Sequence, residues 1–142
     1  MQTEALSTTM QELVQAAQVV AEHSYSPYSG FRVGAALLLS NGEVVTGTNV
    51  ENVSYGLTIC AERSALVRAV AEFGPRIRVR AAAVVNLNGT ASSPCGACRQ
   101  VLSEFMDAEA PVSFPIGEVG AITNATLPMG ELLPYGSEIR LK

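Results

Sequence analysis

Apolar positions recur at helical spacing in some stretches of this chain and run almost unbroken in others, and the change of period predicts its elements. Met10, Leu13, Val14, Ala17 and Val20 form one stripe, which predicts an amphipathic helix over roughly residues 5–23. Turn-forming residues then follow in Tyr25-Ser26-Pro27-Tyr28-Ser29-Gly30. Phe31 to Leu39 is apolar nearly throughout, as a strand covered on both faces would be, and Asn41-Gly42 predicts a tight reversal into an antiparallel strand over Glu43 to Val50.

A second helix is predicted from Cys60, where Ala61, Ala65, Leu66, Ala69 and Val70 repeat at threes and fours, with Thr58 as its cap. Gly74-Pro75 ends it, and Val79 to Leu87 reads as a strand. A loop through Asn88-Gly89-Thr90 leads to a third helix, with Pro94 placed in its first turn and apolar spacing continuing to Met106. Strands near Val112 to Ile116 and Ala121 to Thr126, parted by Gly117-Glu118-Val119-Gly120, precede a short helix over Met129 to Leu133. Helices alternating with strands imply an α/β fold with a mixed sheet and helices packed over it.

The chain has 142 residues, no internal repeat and no low-complexity tract, which predicts one domain over residues 1–142. Hydrophobic residues make up 48% and charged residues 15%, so a packed core is expected rather than disorder. The formal net charge of −4 argues against gripping a nucleic-acid backbone, which needs a basic stripe. No apolar run approaches the roughly 18 residues of a membrane span. Met1 to Ser7 lack the basic start and apolar stretch of an export signal, so a cytoplasmic protein with reduced thiols is expected.

Three cysteines are present: Cys60 in Thr58-Ile59-Cys60-Ala61-Glu62-Arg63, and Cys95 and Cys98 in Ser93-Pro94-Cys95-Gly96-Ala97-Cys98-Arg99-Gln100. Positions 95 and 98 share one helical face, and Cys60 opens a separate helix. Three thiolates can hold Zn2+ and leave its fourth tetrahedral position to water, the signature of a catalytic rather than a structural site. Helix N-termini favour thiolate over thiol, and Arg63 and Arg99 are placed to offset the excess negative charge around the metal. Glu62, beside the first ligand, can take a proton from a metal-activated water and return it.

Plainer readings exist for each. A disulfide would leave one thiol over, and three cysteines could simply be buried in the core. A closed zinc site needs a fourth ligand, and the single histidine, His23, lies at the end of the first helix. Glu62 and the two arginines could be wet surface charges. None of these accounts for Cys-Ala-Glu and Pro-Cys-Gly-Ala-Cys occurring together.

These residues resemble the small homotetrameric class of cytidine deaminases, zinc enzymes with three cysteine ligands and a glutamate that is not a ligand. The resemblance runs from about Tyr25 to Pro134. It is carried by Tyr28-Ser29-Gly30-Phe31-Arg32-Val33-Gly34-Ala35-Ala36, Gly47-Thr48-Asn49-Val50-Glu51-Asn52, Cys60-Ala61-Glu62-Arg63, Pro94-Cys95-Gly96-Ala97-Cys98-Arg99-Gln100 and Glu131-Leu132-Leu133-Pro134. It implies a three-layer α-β-α fold on a central mixed five-stranded sheet. It also implies hydrolytic deamination of cytidine and 2′-deoxycytidine to the uridine and ammonia, as in pyrimidine salvage.

On that resemblance Cys60, Cys95 and Cys98 hold the zinc, and Glu62 moves protons between the water, ring N3 and the departing ammonia. Asn49 and Glu51 bind ribose hydroxyls, chiefly the 3′-OH; two apart on an extended stretch, they share a face. Phe31 packs on the pyrimidine, the Ala61 backbone meets the base carbonyl and the Ser93 carbonyl meets the amino group. Tyr55, with Val53, reaches a neighbouring subunit's site in a homotetramer. Family members commonly carry a phenylalanine after the Leu-Leu-Pro turn that caps a neighbour's pocket; here Tyr135 follows Pro134 and no phenylalanine comes after it. Cys-Ala-Glu and Pro-Cys-x-x-Cys fix the chemistry and not the substrate. A deaminase of a cytosine-containing antibiotic nucleoside, a polynucleotide-editing deaminase and a non-catalytic zinc module are the rival readings.

Overall fold

A computed structural model describes residues 8–136. Helix α1 (Met10–Ala21) opens with a reciprocal cap: Thr9 Oγ1 accepts from the Glu12 amide at 3.1 Å, and the Glu12 carboxylate accepts from the Thr9 amide at 2.8 Å. The part of the predicted first helix that precedes residue 8 lies outside the described residues. Leu13, Ala17 and Ala21 form its buried stripe at a spacing of four.

Five strands follow: β1 (Val33–Leu39), β2 (Val44–Thr48), β3 (Val79–Asn86), β4 (Pro111–Glu118) and β5 (Ala121–Pro128). They form one sheet in the order β2-β1-β3-β4-β5. Strand β1 is antiparallel to both neighbours, with Ala36 opposite Thr46 on one side and Ala83 on the other. Strands β3 and β4 are parallel, and β4 and β5 are antiparallel. The sheet is mixed, as expected.

Every residue of β1 is buried because both faces are covered. On one face α1 packs its stripe onto Ala36, Leu38, Ala81, Ala83 and Val85. Against the other face lie α2 (Ala61–Phe73) and α3 (Gly96–Ser103), sealing Ala35, Leu37, Leu39, Ala82 and Val84 with Ala65, Ala69 and Leu102. This is the three-layer α-β-α arrangement. A single turn, α4 (Met129–Leu132), closes that same core after β5.

Two close approaches set the layer spacing. A Cβ at Gly34 would stand 2.0 Å from the Ala17 carbonyl oxygen in α1, and one at Gly47 would stand 2.4 Å from the Ala65 nitrogen in α2. A side chain at either site would force a helix off the sheet.

Element boundaries move slightly from the sequence expectations. Thr58 does not cap α2; it ends a 3-10 turn (Tyr55–Leu57), and Cys60 is the N-cap. Pro94 lies ahead of α3 rather than in its first turn, because Cys95 takes the N-cap position. Helix α3 stops at Ser103, so the apolar spacing to Phe105 and Met106 continues through a turn that still packs on the core.

Strands β2 and β3 both pair antiparallel with β1, so they run in the same direction. Helix α2 follows β2 and α3 follows β3, so both helices start at the same end of the sheet. In open α/β sheets that end is where ligands bind.

Candidate metal centre and substrate cleft

The two helix starts bring the cysteines together. Cys60 is the N-cap of α2, Cys95 the N-cap of α3, and Cys98 lies buried in the first turn of α3. Cys95 Sγ accepts from the Cys98 amide at 3.4 Å, which locks the α3 turn around its own sulfur. The three sulfurs all lie within 4.8 Å of one another, and Cys60 and Cys95 are 3.8 Å apart. Three sulfurs on a tetrahedral zinc at roughly 2.3 Å each are about 3.8 Å apart along an edge; the Cys60–Cys95 separation matches that edge, and Cys98 lies near enough to complete a three-sulfur donor set.

The charge around the cluster suits a cation. The Cys60 thiol is pulled down to about 5 by hydrogen bonding with Cys98, reinforced by Arg63. The Cys98 thiol is pushed upward by that same bond to Cys60 and by burial. Arg63 donates to Cys60 Sγ at 3.6 Å, while its Nε is buried with no acceptor among the described residues. An orphaned guanidinium N–H held beside three sulfurs fits a cluster that carries net negative charge once its ligands are ionised.

Glu62 sits one residue beyond the first sulfur and is 4% exposed. Burial raises its carboxyl to about 7, with the Cys60 thiolate pushing the same way. A glutamate buried beside three candidate metal ligands, with no salt bridge among the described residues, is a position that points to proton transfer.

Arg99 does something different from the sequence expectation. It donates to the Pro94 carbonyl at 2.7 Å, the Leu132 carbonyl at 2.8 Å and Ser93 Oγ at 2.9 Å, and not to a thiolate. Side chains on a helix lean toward its N-terminus, so an arginine in the second half-turn reaches back to the loop before the cap. Arg99 thereby clamps the Ser93-Pro94 turn to α4 and holds Cys95 in place through the backbone. His23 is exposed beyond the end of α1, as its sequence position suggested.

The residues expected to meet substrate divide into two groups. Asn49 and Glu51 flank Val50, whose backbone bridges both Tyr25 and Ile59, and both side chains turn toward the 24–33 segment. Asn49 is buried, accepts from the Val33 amide at 3.0 Å and Ser24 Oγ at 2.5 Å, and donates to the Phe31 carbonyl at 2.8 Å. Glu51 accepts from the Tyr28 and Ser29 amides at 3.0 and 3.1 Å, and from the Ser29 hydroxyl. Phe31 is half-buried against the core. Ala61 is fully buried as the first residue of α2, so its N–H is among those no helix carbonyl can accept. The second group faces outward: Tyr55 and Val53 are 80% and 75% exposed, and Tyr135 is fully exposed. A cleft of about 310 Å3 is lined by Tyr28, Ser29, Glu51, Tyr55 and Thr58.

A family model described as the cytidine and deoxycytidylate deaminase zinc-binding region matches residues 7–113, a span that contains all three cysteines and Glu62. The chain belongs to this cytidine and deoxycytidylate deaminase family. A cytidine deaminase from Halalkalibacterium halodurans is 46% identical over 126 residues, covering 87% of this chain and 90% of that protein. The crystal structure of a cytidine deaminase from Burkholderia pseudomallei matches with a TM-score of 0.79 at 42% identity, over 92% of this chain and 100% of that one. That of the Mycobacterium tuberculosis cytidine deaminase matches with a TM-score of 0.78 at 39% identity, over 93% and 99% of the two chains.

Membership in a zinc-binding deaminase family agrees with the donor set, and the cofactor is zinc. No helix among the described residues is long and apolar enough to cross a membrane. Residue-level reading of this deaminase missed Ser24 and Ser29, which hold Asn49 and Glu51. Ser29 lies in the Tyr25–Gly30 stretch that signalled a turn and Ser24 just before it, and nothing in their spacing to residues 49 and 51 could have shown the contact.

Proposed function

We propose that the chain catalyses zinc-dependent hydrolysis of cytidine and 2′-deoxycytidine to uridine and 2′-deoxyuridine, with release of ammonia. The observation that carries this reading is a three-sulfur cluster, its sulfurs within 4.8 Å of one another, beside a buried glutamate. Zinc held by Cys60, Cys95 and Cys98 supplies a Lewis acid and lowers the pKa of a water at its open position.

The protein's own groups do the rest. Glu62 takes a proton from the attacking water and passes it to ring N3, then takes the proton of the new C4 hydroxyl and hands it to the amine, which departs as ammonia as the C4–N bond breaks and the C4 carbonyl forms. A buried carboxyl whose ionisation is resisted by desolvation is suited to accept a proton and to give it back. The Ala61 amide, free at the start of α2, donates to the base carbonyl, and the Ser93 carbonyl accepts from the amino group. Phe31 packs on the pyrimidine ring, and Asn49 and Glu51 bind the sugar. Arg63 offsets the charge of the thiolates, and Arg99 fixes the turn that carries Cys95. One domain spanning the chain assembles as a homotetramer whose Tyr55 and Val53 complete a neighbour's site. It works in the cytoplasm, in salvage of pyrimidine nucleosides.

The test is turnover of cytidine, followed by the absorbance change and by released ammonia, with zinc measured on the same sample. Glu62→Gln is expected to keep zinc and fold while lowering kcat by at least about 100-fold, the lower end of acid–base effects. Wild-type turnover by that variant would remove Glu62 from the mechanism. Chelation should abolish activity and added zinc restore it. Faster turnover of a cytosine-containing antibiotic nucleoside than of cytidine would reassign the substrate.

A further inference from the structure

Glu51 is bound on both oxygens before any sugar arrives. One oxygen accepts the Tyr28 and Ser29 amides, at 3.0 and 3.1 Å; the other accepts the Ser29 hydroxyl. A carboxylate has about four acceptor positions, so three are filled and one remains, on the oxygen that Ser29 holds. The Ser29 hydroxyl is itself oriented, because its oxygen accepts from the Phe31 amide at 2.9 Å. With its acceptor side engaged there, its proton points at Glu51. One hydroxyl thus joins the carboxylate assigned to the sugar and the segment that carries the ring assigned to the base.

We propose that Ser29 is a positioning residue for nucleoside binding: its hydroxyl fixes the Glu51 carboxylate so that a single acceptor position faces the sugar in the cleft lined by Tyr28, Ser29, Glu51, Tyr55 and Thr58. The inference rests on the reading of Glu51 as a sugar-binding group. A long, flexible side chain on an exposed segment would otherwise have to be ordered at each binding event, and ordering beforehand strengthens binding without a new contact to ligand. The Glu51 carboxyl is held below the usual carboxylate range, first by the Ser29 hydroxyl and then by the Ser29 and Tyr28 amides, so it presents an anion to the sugar. An arrangement with one free acceptor reads one hydroxyl, not a diol.

Steady-state kinetics on cytidine and 3′-deoxycytidine test this with Ser29→Ala, Ser29→Thr, Glu51→Ala and the Ser29→Ala/Glu51→Ala double variant. Ser29→Ala should raise KM for cytidine about tenfold with kcat within about twofold, the pattern of lost uniform binding. Zinc content and melting temperature should stay at wild-type values. The preference for cytidine over 3′-deoxycytidine should shrink, and Ser29→Thr, which keeps the hydroxyl, should recover it. The double variant should be no worse than Glu51→Ala alone, because the serine acts through the glutamate. In Ser29→Ala the Glu51 carboxyl, followed by NMR, should titrate at higher pH.

Two results would overturn the inference, and they differ. Should Glu51→Ala raise KM while Ser29→Ala does not, Ser29 has no positioning role and the sugar-binding reading stands. Should Glu51→Ala leave KM and the 3′-deoxy discrimination untouched, the sugar-binding reading fails and takes this inference with it.

Discussion

Arg63 is the third residue after the Cys60 cap and Arg99 the fourth after the Cys95 cap, and the fold uses them oppositely. Arg99 satisfies its donors on two carbonyls and a hydroxyl, all neutral oxygens, and so acts as a brace for the loop before Cys95. Arg63 turns its guanidinium toward sulfur and leaves Nε buried and unpaired, an arrangement whose cost is offset when the facing group carries negative charge. Removing that cation should therefore be felt at the metal. Arg63→Ala is predicted to weaken zinc binding by about 10- to 100-fold, the range for lost outer partners of a metal site, as measured by competition with a chelator of known affinity. Arg63→Lys should recover only part of it, since an ammonium cannot present two donors in one plane. An Arg63→Ala protein with unaltered zinc affinity would show that the guanidinium serves packing alone.

The elements decide whether the sulfurs meet, and the seat of α2 on β2 is the least tolerant joint. Gly47 lets the helix backbone approach so closely that a Cβ there would stand 2.8 Å from the Ala61 carbonyl oxygen and 2.4 Å from the Ala65 nitrogen. Those are backbone atoms in the first and second turns, the part of α2 that carries Cys60 and Glu62, and no side-chain rotation relieves the clash. Gly47→Ala is predicted to cost about 1–3 kcal/mol of stability by overpacking, and to lower zinc occupancy as the start of α2 is displaced from α3. Denaturant melts and metal analysis of the purified variant check both.

This joint also marks how far the sequence could be read. Periodicity exposed the helices, because Ala61, Ala65 and Ala69 repeat at a spacing that survives in one dimension. The all-apolar run at β1 foretold a strand covered on both faces. Cysteine spacing and the neighbouring glutamate carried the chemistry, since those residue types have few other reasons to cluster. What stayed hidden was long-range. Gly47 looks like an ordinary strand residue until α2 is laid on it. Arg99 could be placed near Cys95 by its spacing, but its acceptor at Leu132 is 33 residues away. The serines that fasten Asn49 and Glu51 reach them across 25 and 22 positions.

At the scale of the molecule, one subunit leaves apolar side chains in water on the segment that carries Tyr55, which lines the cleft. Val53, Tyr55 and Leu57 are 75%, 80% and 65% exposed on one short segment, and Val50 and Ile59, which flank it in the chain and bridge one another, are exposed too, as is Tyr25, which bridges Val50. Single exposed apolar residues are ordinary, but several within ten positions, one of them lining the cleft, mark a contact surface. The proposed homotetramer supplies that contact, with Tyr55 placed to face the neighbour's site. The wild-type protein is then predicted to sediment at four times 14.9 kDa. Tyr55→Asp puts a charge where a neighbour's apolar surface would desolvate it, so the complex should dissociate toward single subunits. Zinc should remain, because all three sulfurs come from one chain. Activity should fall with the loss of assembly and recover at high protein concentration, since association is a mass-action equilibrium. A Tyr55→Asp protein that sediments as a single subunit yet turns over cytidine at the wild-type rate would mean that each subunit's site is complete alone.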